Sequence, residues 1–155
     1  MVNGEKEIRV NRIVLEDKKG RVRAVLAGDK GGGPVLALLD ENRKISSQLV
    51  MDKYGPQFRL CDKNGKRRVE LGIVEGIAFL AMLDRKGKVR AGLSVNEFGP
   101  ALELRDDKGR QRVVLGVSRP AGRPFLAMFD EKGNFLAKMG FNEAKPKPAD
   151  RRRRP

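Results

Sequence analysis

An aspartate returns along this chain at positions 17, 40, 62, 84, 106 and 130, at spacings of 23, 22, 22, 22 and 24 residues, between stretches of alternating apolar residues. A fixed period of this length marks a repeat architecture, in which each unit is too small to bury its own apolar face and stacks on its neighbours. The fullest copy is the fourth, Leu80-Ala81-Met82-Leu83-Asp84-Arg85-Lys86-Gly87-Lys88-Val89-Arg90-Ala91-Gly92-Leu93.

Alternation on both sides of an Asp-x-x-Gly element describes two half-buried strands and a tight turn. Asp bonds the backbone two residues on, and Gly accepts the left-handed conformation that closes the loop. The turn pairs are Asp17 and Gly20, Asp62 and Gly65, Asp84 and Gly87, Asp106 and Gly109, Asp130 and Gly133, with Arg43 in the glycine position of the second copy. A four-residue loop pairs Leu80 with Ala91 and Met82 with Val89 on one face, and Ala81 with Arg90 and Leu83 with Lys88 on the other. In the fifth copy it pairs Leu102 with Val113 and sets Glu103 against Arg112. The predicted fold is all-β, with six tandem hairpins of about 22 residues and about 12 strands.

A longer period is superimposed. Even copies carry Ala37 and Leu39, Ala81 and Leu83, Ala127 and Phe129 on the outer face of the leading strand, where odd copies carry Val14 and Glu16, Arg59 and Cys61, Glu103 and Arg105. Strands apolar on both faces call for a cover on both. Odd plus even makes three units of about 44 residues, the repeat content of a closed three-fold fold, trefoil-like or prism-like. That closed form is preferred here over an open hairpin stack.

The segments Phe79-Leu80-Ala81-Met82 and Phe125-Leu126-Ala127-Met128, each followed by a glycine turn, resemble hairpins of β-trefoil growth factors. Over most of residues 8 to 141 the tandem Asp-x-x-Gly-x-x-Arg-Ala-x-Leu hairpins are similar to those of uncharacterised bacterial repeat proteins. That resemblance implies a bacterial source and a hairpin array, and no activity.

The chain of 155 residues has 34 basic and 20 acidic residues, a net +14. An excess of that size favours a polyanion, nucleic acid or another, or an acidic partner. The candidate contacts are Arg21 and Arg23, Lys66 and Arg68, Lys88 and Arg90, Arg110 and Arg112, on second strands of the hairpins, together with Arg151, Arg152, Arg153 and Arg154. Residues 1–142 form the predicted repeat domain, and the proline-rich basic segment 143–155 is predicted to be disordered.

With no histidine in the chain, Ser-His-Asp and Cys-His nucleophile pairs and His-built zinc sites are excluded. Lys or Arg beside nearly every turn Asp argues against calcium loops. Glu70, Glu75, Glu97 and Glu103 are the carboxylates available to pair for acid–base work, but their setting in strands and loops reads as solvated charge. No catalytic residue, metal or cofactor is expected. A lone cysteine, Cys61, suits a reducing compartment. With no signal-like or membrane-spanning stretch, the expected location is the cytoplasm. The functional expectation is a non-enzymatic scaffold whose basic face meets a polyanion or acidic partner; the alternative is a self-assembling subunit, a homo-oligomer or filament.

Overall fold

The computed structural model describes residues 7–28 and 33–140. Within them lie twelve antiparallel strands in one sheet: β1 Arg12–Glu16, β2 Val22–Gly28, β3 Pro34–Leu39, β4 Ile45–Asp52, β5 Gly55–Cys61 and β6 Arg67–Val74. The remainder are β7 Ile77–Leu83, β8 Val89–Asn96, β9 Gly99–Arg105, β10 Gln111–Ser118, β11 Arg123–Phe129 and β12 Phe135–Met139. Strand order follows chain order without a crossover, and each strand touches only its neighbours in sequence. No described helix is long and apolar enough to cross a membrane. Because β1 does not meet β12, the sheet is open. The hairpin stack is therefore correct and the closed trefoil-like or prism-like form is not: every hairpin bonds laterally to the next, so none is left to fold back over the others.

The Asp turns explain the hairpins. In the fourth, Asp84 N–H donates to the Lys88 carbonyl (2.9 Å) and Gly87 N–H to the Asp84 carbonyl (3.0 Å). Asp84 Oδ1 accepts from the N–H groups of Lys86 (2.8 Å) and Lys88 (3.1 Å), and the same side-chain pattern recurs at Asp17, Asp40, Asp62, Asp106 and Asp130. Gly87 has φ +79°, and Arg43 takes the same left-handed conformation at φ 62°.

The loop is three residues, not four, and a bulge follows it. Leu83 pairs with Val89 but Met82 with Ala91, leaving Arg90 as an extra residue outside the ladder. The shift recurs in every Asp-turned hairpin, at Arg23, Ser46, Arg68, Arg90, Arg112 and Leu136. The expected register is thereby corrected: Leu80 pairs with Leu93, Val89 moves to the opposite face from Met82, Leu104 and not Leu102 pairs with Val113, and Glu103 faces Val114. A pattern that tests only which residues share a face is blind to one bulge plus one loop residue, because the two one-residue offsets add to two, and a shift of two returns each side chain to the same face.

The two faces differ sharply. On one, a ladder crosses all twelve strands: Ile13, Leu26, Leu36, Leu49, Phe58, Leu71, Leu80, Leu93, Leu102, Leu115, Leu126 and Met139. A flanking row holds Leu15, Leu38, Leu60, Met82, Leu104 and Met128, and on its other side lie Met51, Ile73, Val95 and Val117. This face is open, with Leu71 53% and Leu115 51% exposed.

The opposite face holds every described apolar side chain that is buried, namely Ala37, Val50, Ala81, Leu83, Val114 and Ala127. The second faces of the even hairpins thus find most of their cover inside the sheet, and Phe129 stacks on Phe135 with ring centroids 5.0 Å apart. The face left without cover is the one the alternation marks as inward.

Connections between hairpins share the other long edge and repeat every second hairpin. Asp52 and Asn96 each accept from the N–H two residues on, Tyr54 and Phe98, both at 2.9 Å. The carbonyls of those residues accept from Glu75 N–H (3.3 Å) and Arg119 N–H (2.9 Å) in the following connection. At Gly99 a Cβ would lie 2.0 Å from the Val117 carbonyl oxygen, so only glycine admits this approach. Gly55 stands in the same relation to Ile73, 44 residues earlier, which gives the doubled repeat its backbone expression.

Candidate polyanion-binding edge

Because turns and connections alternate in a meander, all six Asp turns fall on one long edge of the sheet. Strands lie about 4.8 Å apart, so successive turns are spaced by roughly 10 Å along it. The turns are also tied to one another. Lys44 Nζ donates to the Lys63 carbonyl (3.4 Å), Lys88 Nζ to the Asp107 carbonyl (3.2 Å), and Arg110 Nη1 to the Glu131 carbonyl (2.8 Å), each reaching the second residue of the next turn.

The turn aspartates themselves are occupied from within, whereas the carboxylates of Glu41, Asp107 and Glu131 beside them are exposed. Besides the two N–H groups on Oδ1, Asp17 Oδ2 takes Arg21 Nε at 2.7 Å, and Asp106 Oδ2 takes Arg110 Nη2 at 2.7 Å. The Arg110 hydrogen bond, ahead of the turn's own amides, holds the Asp106 carboxyl down at about 2. Asp84 is lowered chiefly by the Lys88 N–H and Asp130 by the Asn134 side chain, against a smaller opposing effect of burial in each. Each turn aspartate thus faces its own backbone, and at Asp84, Asp106 and Asp130 that bonding favours the ionised carboxylate, while the tip lysines beside them face water.

The sequence-predicted basic residues divide accordingly. Arg21 and Arg110 are ion-paired within their turns. Arg23, Arg68, Arg90 and Arg112 occupy bulges, with guanidinium nitrogens 4.0, 3.6, 3.5 and 3.5 Å from Asp17, Asp62, Asp84 and Asp106. Arg68 Nε and Arg90 Nε also donate to the carbonyls of Leu83 and Arg105, both at 2.9 Å. Arg68, Arg90 and Arg112 stand on β6, β8 and β10, with a leading strand between neighbours, and Arg23 stands apart on β2. Lys66 is exposed and its side chain makes no bond; Arg151 to Arg154 lie outside the described residues.

Tip residues that the strand-based reading passed over complete the edge: Lys19, Arg43, Lys63, Lys86, Lys108 and Lys132, one per turn, are all exposed and without ion pairs. Their signal was present as a basic residue inside every turn. Between the third and fourth turns a groove is lined by Lys63, Lys66, Arg68 and Arg85, with Asp62 and Asn64.

The carboxylates weighed for acid–base chemistry are dispersed. Glu70 is held by Arg59 Nε (2.8 Å) and Arg67 Nη1 (2.9 Å), in a cluster with Asp52, whereas Glu103 pairs with Arg105. Glu70 and Glu103 share a row but are three strands apart, roughly 14 Å. Glu75 and Glu97 are exposed in the connections. Cys61 is half-buried, and burial, outweighing Arg67, raises its thiol pKa. Among the described residues no three Cys, Asp or Glu side chains gather as metal ligands do.

No protein-family model matches the chain, and no curated protein matches it.

Proposed function

We propose that the protein is a non-enzymatic β-scaffold that lays its turn edge along a polyanion. The observation that carries this reading is the gathering of six turns on one edge, each offering an unpaired cation while its aspartate is engaged by its own backbone. Free cations at intervals of roughly 10 Å along a rigid edge suit a repeating anionic backbone such as nucleic acid or a sulfated polysaccharide. Affinity then comes from released counterions, and base edges are not read.

The test is retention on heparin and binding to duplex DNA as a function of salt. Replacing Lys63, Lys86 and Lys108 by Gln is expected to lower the slope of log affinity against log salt by about 2 to 3 on DNA. Binding that is absent near physiological salt, or unchanged in this triple variant, sinks the reading. The same experiment on Arg68, Arg90 and Arg112 separates the tips from the bulges. These arginines are committed to carbonyls and aspartates, so their loss is expected to show first in stability.

A further inference from the structure

The uncovered apolar face is a feature distinct from the basic edge, and we propose that it is the seat of a second copy of this chain, packed face to face about a two-fold axis that runs along the strand order.

Among the described residues no large side chain is fully buried, although a chain of this length ordinarily encloses a core. The missing half of the core is visible as three parallel apolar rows spanning the sheet. Twelve strands of 5 to 8 residues give that face a footprint on the order of 1,200 Å² per copy. Stable protein interfaces need about 800 Å² per partner, and isolated apolar patches on monomers rarely exceed a few hundred. A sheet partner also fits by shape. The central ladder is continuous from Ile13 on β1 to Met139 on β12, so a second identical ladder meets it along its whole length at the roughly 10 Å separation of stacked sheets. Strands of this length fall short of the 9 to 11 residues that span a bilayer, which argues against lipid as the occupant.

Charge selects the axis. The turn edge carries the excess of free cations, whereas the connection edge sets Glu75 and Glu97, both exposed, against its own basic residues. A two-fold parallel to the strands would bring two cationic turn edges together. One along the strand order places each turn edge beside the partner's connection edge, keeps every strand covered, and leaves the two basic edges on opposite sides of the pair.

Light scattering on the eluting wild-type protein at micromolar concentration is expected to give twice the chain's 17.3 kDa. The double substitution Leu71→Lys with Leu93→Lys should weaken association by roughly a hundredfold or more while the far-ultraviolet circular dichroism of the dissociated chain stays that of a sheet. Both side chains are about half exposed in the single chain. Should the double variant unfold, cysteine placement decides. In a Cys61→Ser background, Leu26→Cys on β2 is expected to be joined to its counterpart by a thiol crosslinker spanning about 10 Å. With the axis turned parallel to the strands the two sites would be on the order of 40 Å apart and would not be joined. A folded wild-type monomer overturns the proposal, as does a dimer that keeps its affinity in the double variant. A monomer that binds phosphatidylcholine vesicles would overturn it in favour of a lipid surface, and a mass growing without limit in favour of edge-to-edge filaments.

Discussion

Arg90 Nε donates to the main-chain oxygen of Arg105 at 2.9 Å, joining the fourth hairpin to the fifth, while its Nη1 stands 3.5 Å from Asp84 in its own turn. Arg68 makes the same pair of contacts, to Leu83 and Asp62. The bulge that removes the arginine from the ladder is what frees it to reach the next hairpin. Replacing Arg90 by Ala should therefore destabilise the protein by about 0.5–1.5 kcal/mol in urea denaturation. Replacing the tip residue Lys86, whose side chain bonds nothing, should change stability by less than about 0.5 kcal/mol. Equal effects of the two substitutions would show that the arginine is not a staple.

Glycines at the two edges serve different ends, and one substitution at each separates them. Around Gly87 nothing lies within 4 Å of a would-be Cβ, so Gly87→Val meets only the strain of a left-handed backbone, about 1–3 kcal/mol. At Gly99 even Ala would meet the Val117 carbonyl oxygen at 2.0 Å. Gly99→Ala should lower the melting temperature at least as far as Gly87→Val does, although alanine is the smaller residue. The reverse order would refute the close approach of this connection to its neighbour.

Acid should weaken the fold through its turns. Asp106 titrates at about 2 in the folded chain, held down by Arg110 first and its turn amides next, against about 3.9 for an unfolded aspartate. A depressed folded value means that the stabilisation is fully present above about pH 4 and disappears as the pH falls through about 2. The melting temperature should fall across that window. Asp106→Asn should show a shallower fall, because one of the ionised turns no longer titrates. A melting temperature flat between about pH 5 and about pH 2 would count against ionised turns as the hairpin locks.

Contacts restricted to sequence neighbours make stability nearly one-dimensional. The end strands β1 and β12 are exposed along their whole length. Amide hydrogen exchange should be fastest there and slowest in β6 to β10, with a graded profile. Uniform protection across all twelve strands would indicate a cooperativity that nearest-neighbour contacts do not supply.

Much of this architecture is legible without coordinates. The recurring Asp and Gly, with apolar alternation on either side, dictate six hairpins and their turns because turn chemistry and period-two patterning are local properties. The equivalence of Gly55 and Gly99 belongs to the same class, since a repeat in sequence at 44 residues becomes a repeat in backbone. The bulge at Arg90 was not legible: Arg and Lys are equally at home outside a ladder or in its outer face, and a bulge shifts register without changing composition.

Tertiary structure alone decided which face is covered. Ala81 and Ala127 read as half of a surface awaiting a partner, yet they are already buried within the single sheet. Met82 and Leu102 fall on the face that the hairpin pattern turns inward, yet they stand exposed. Alternation assigns residues to two faces but carries no information on whether hairpins bond side by side or fold over one another. That choice rests on lateral hydrogen bonds between strands of different hairpins, which are main-chain groups common to every residue and so leave no mark in the sequence.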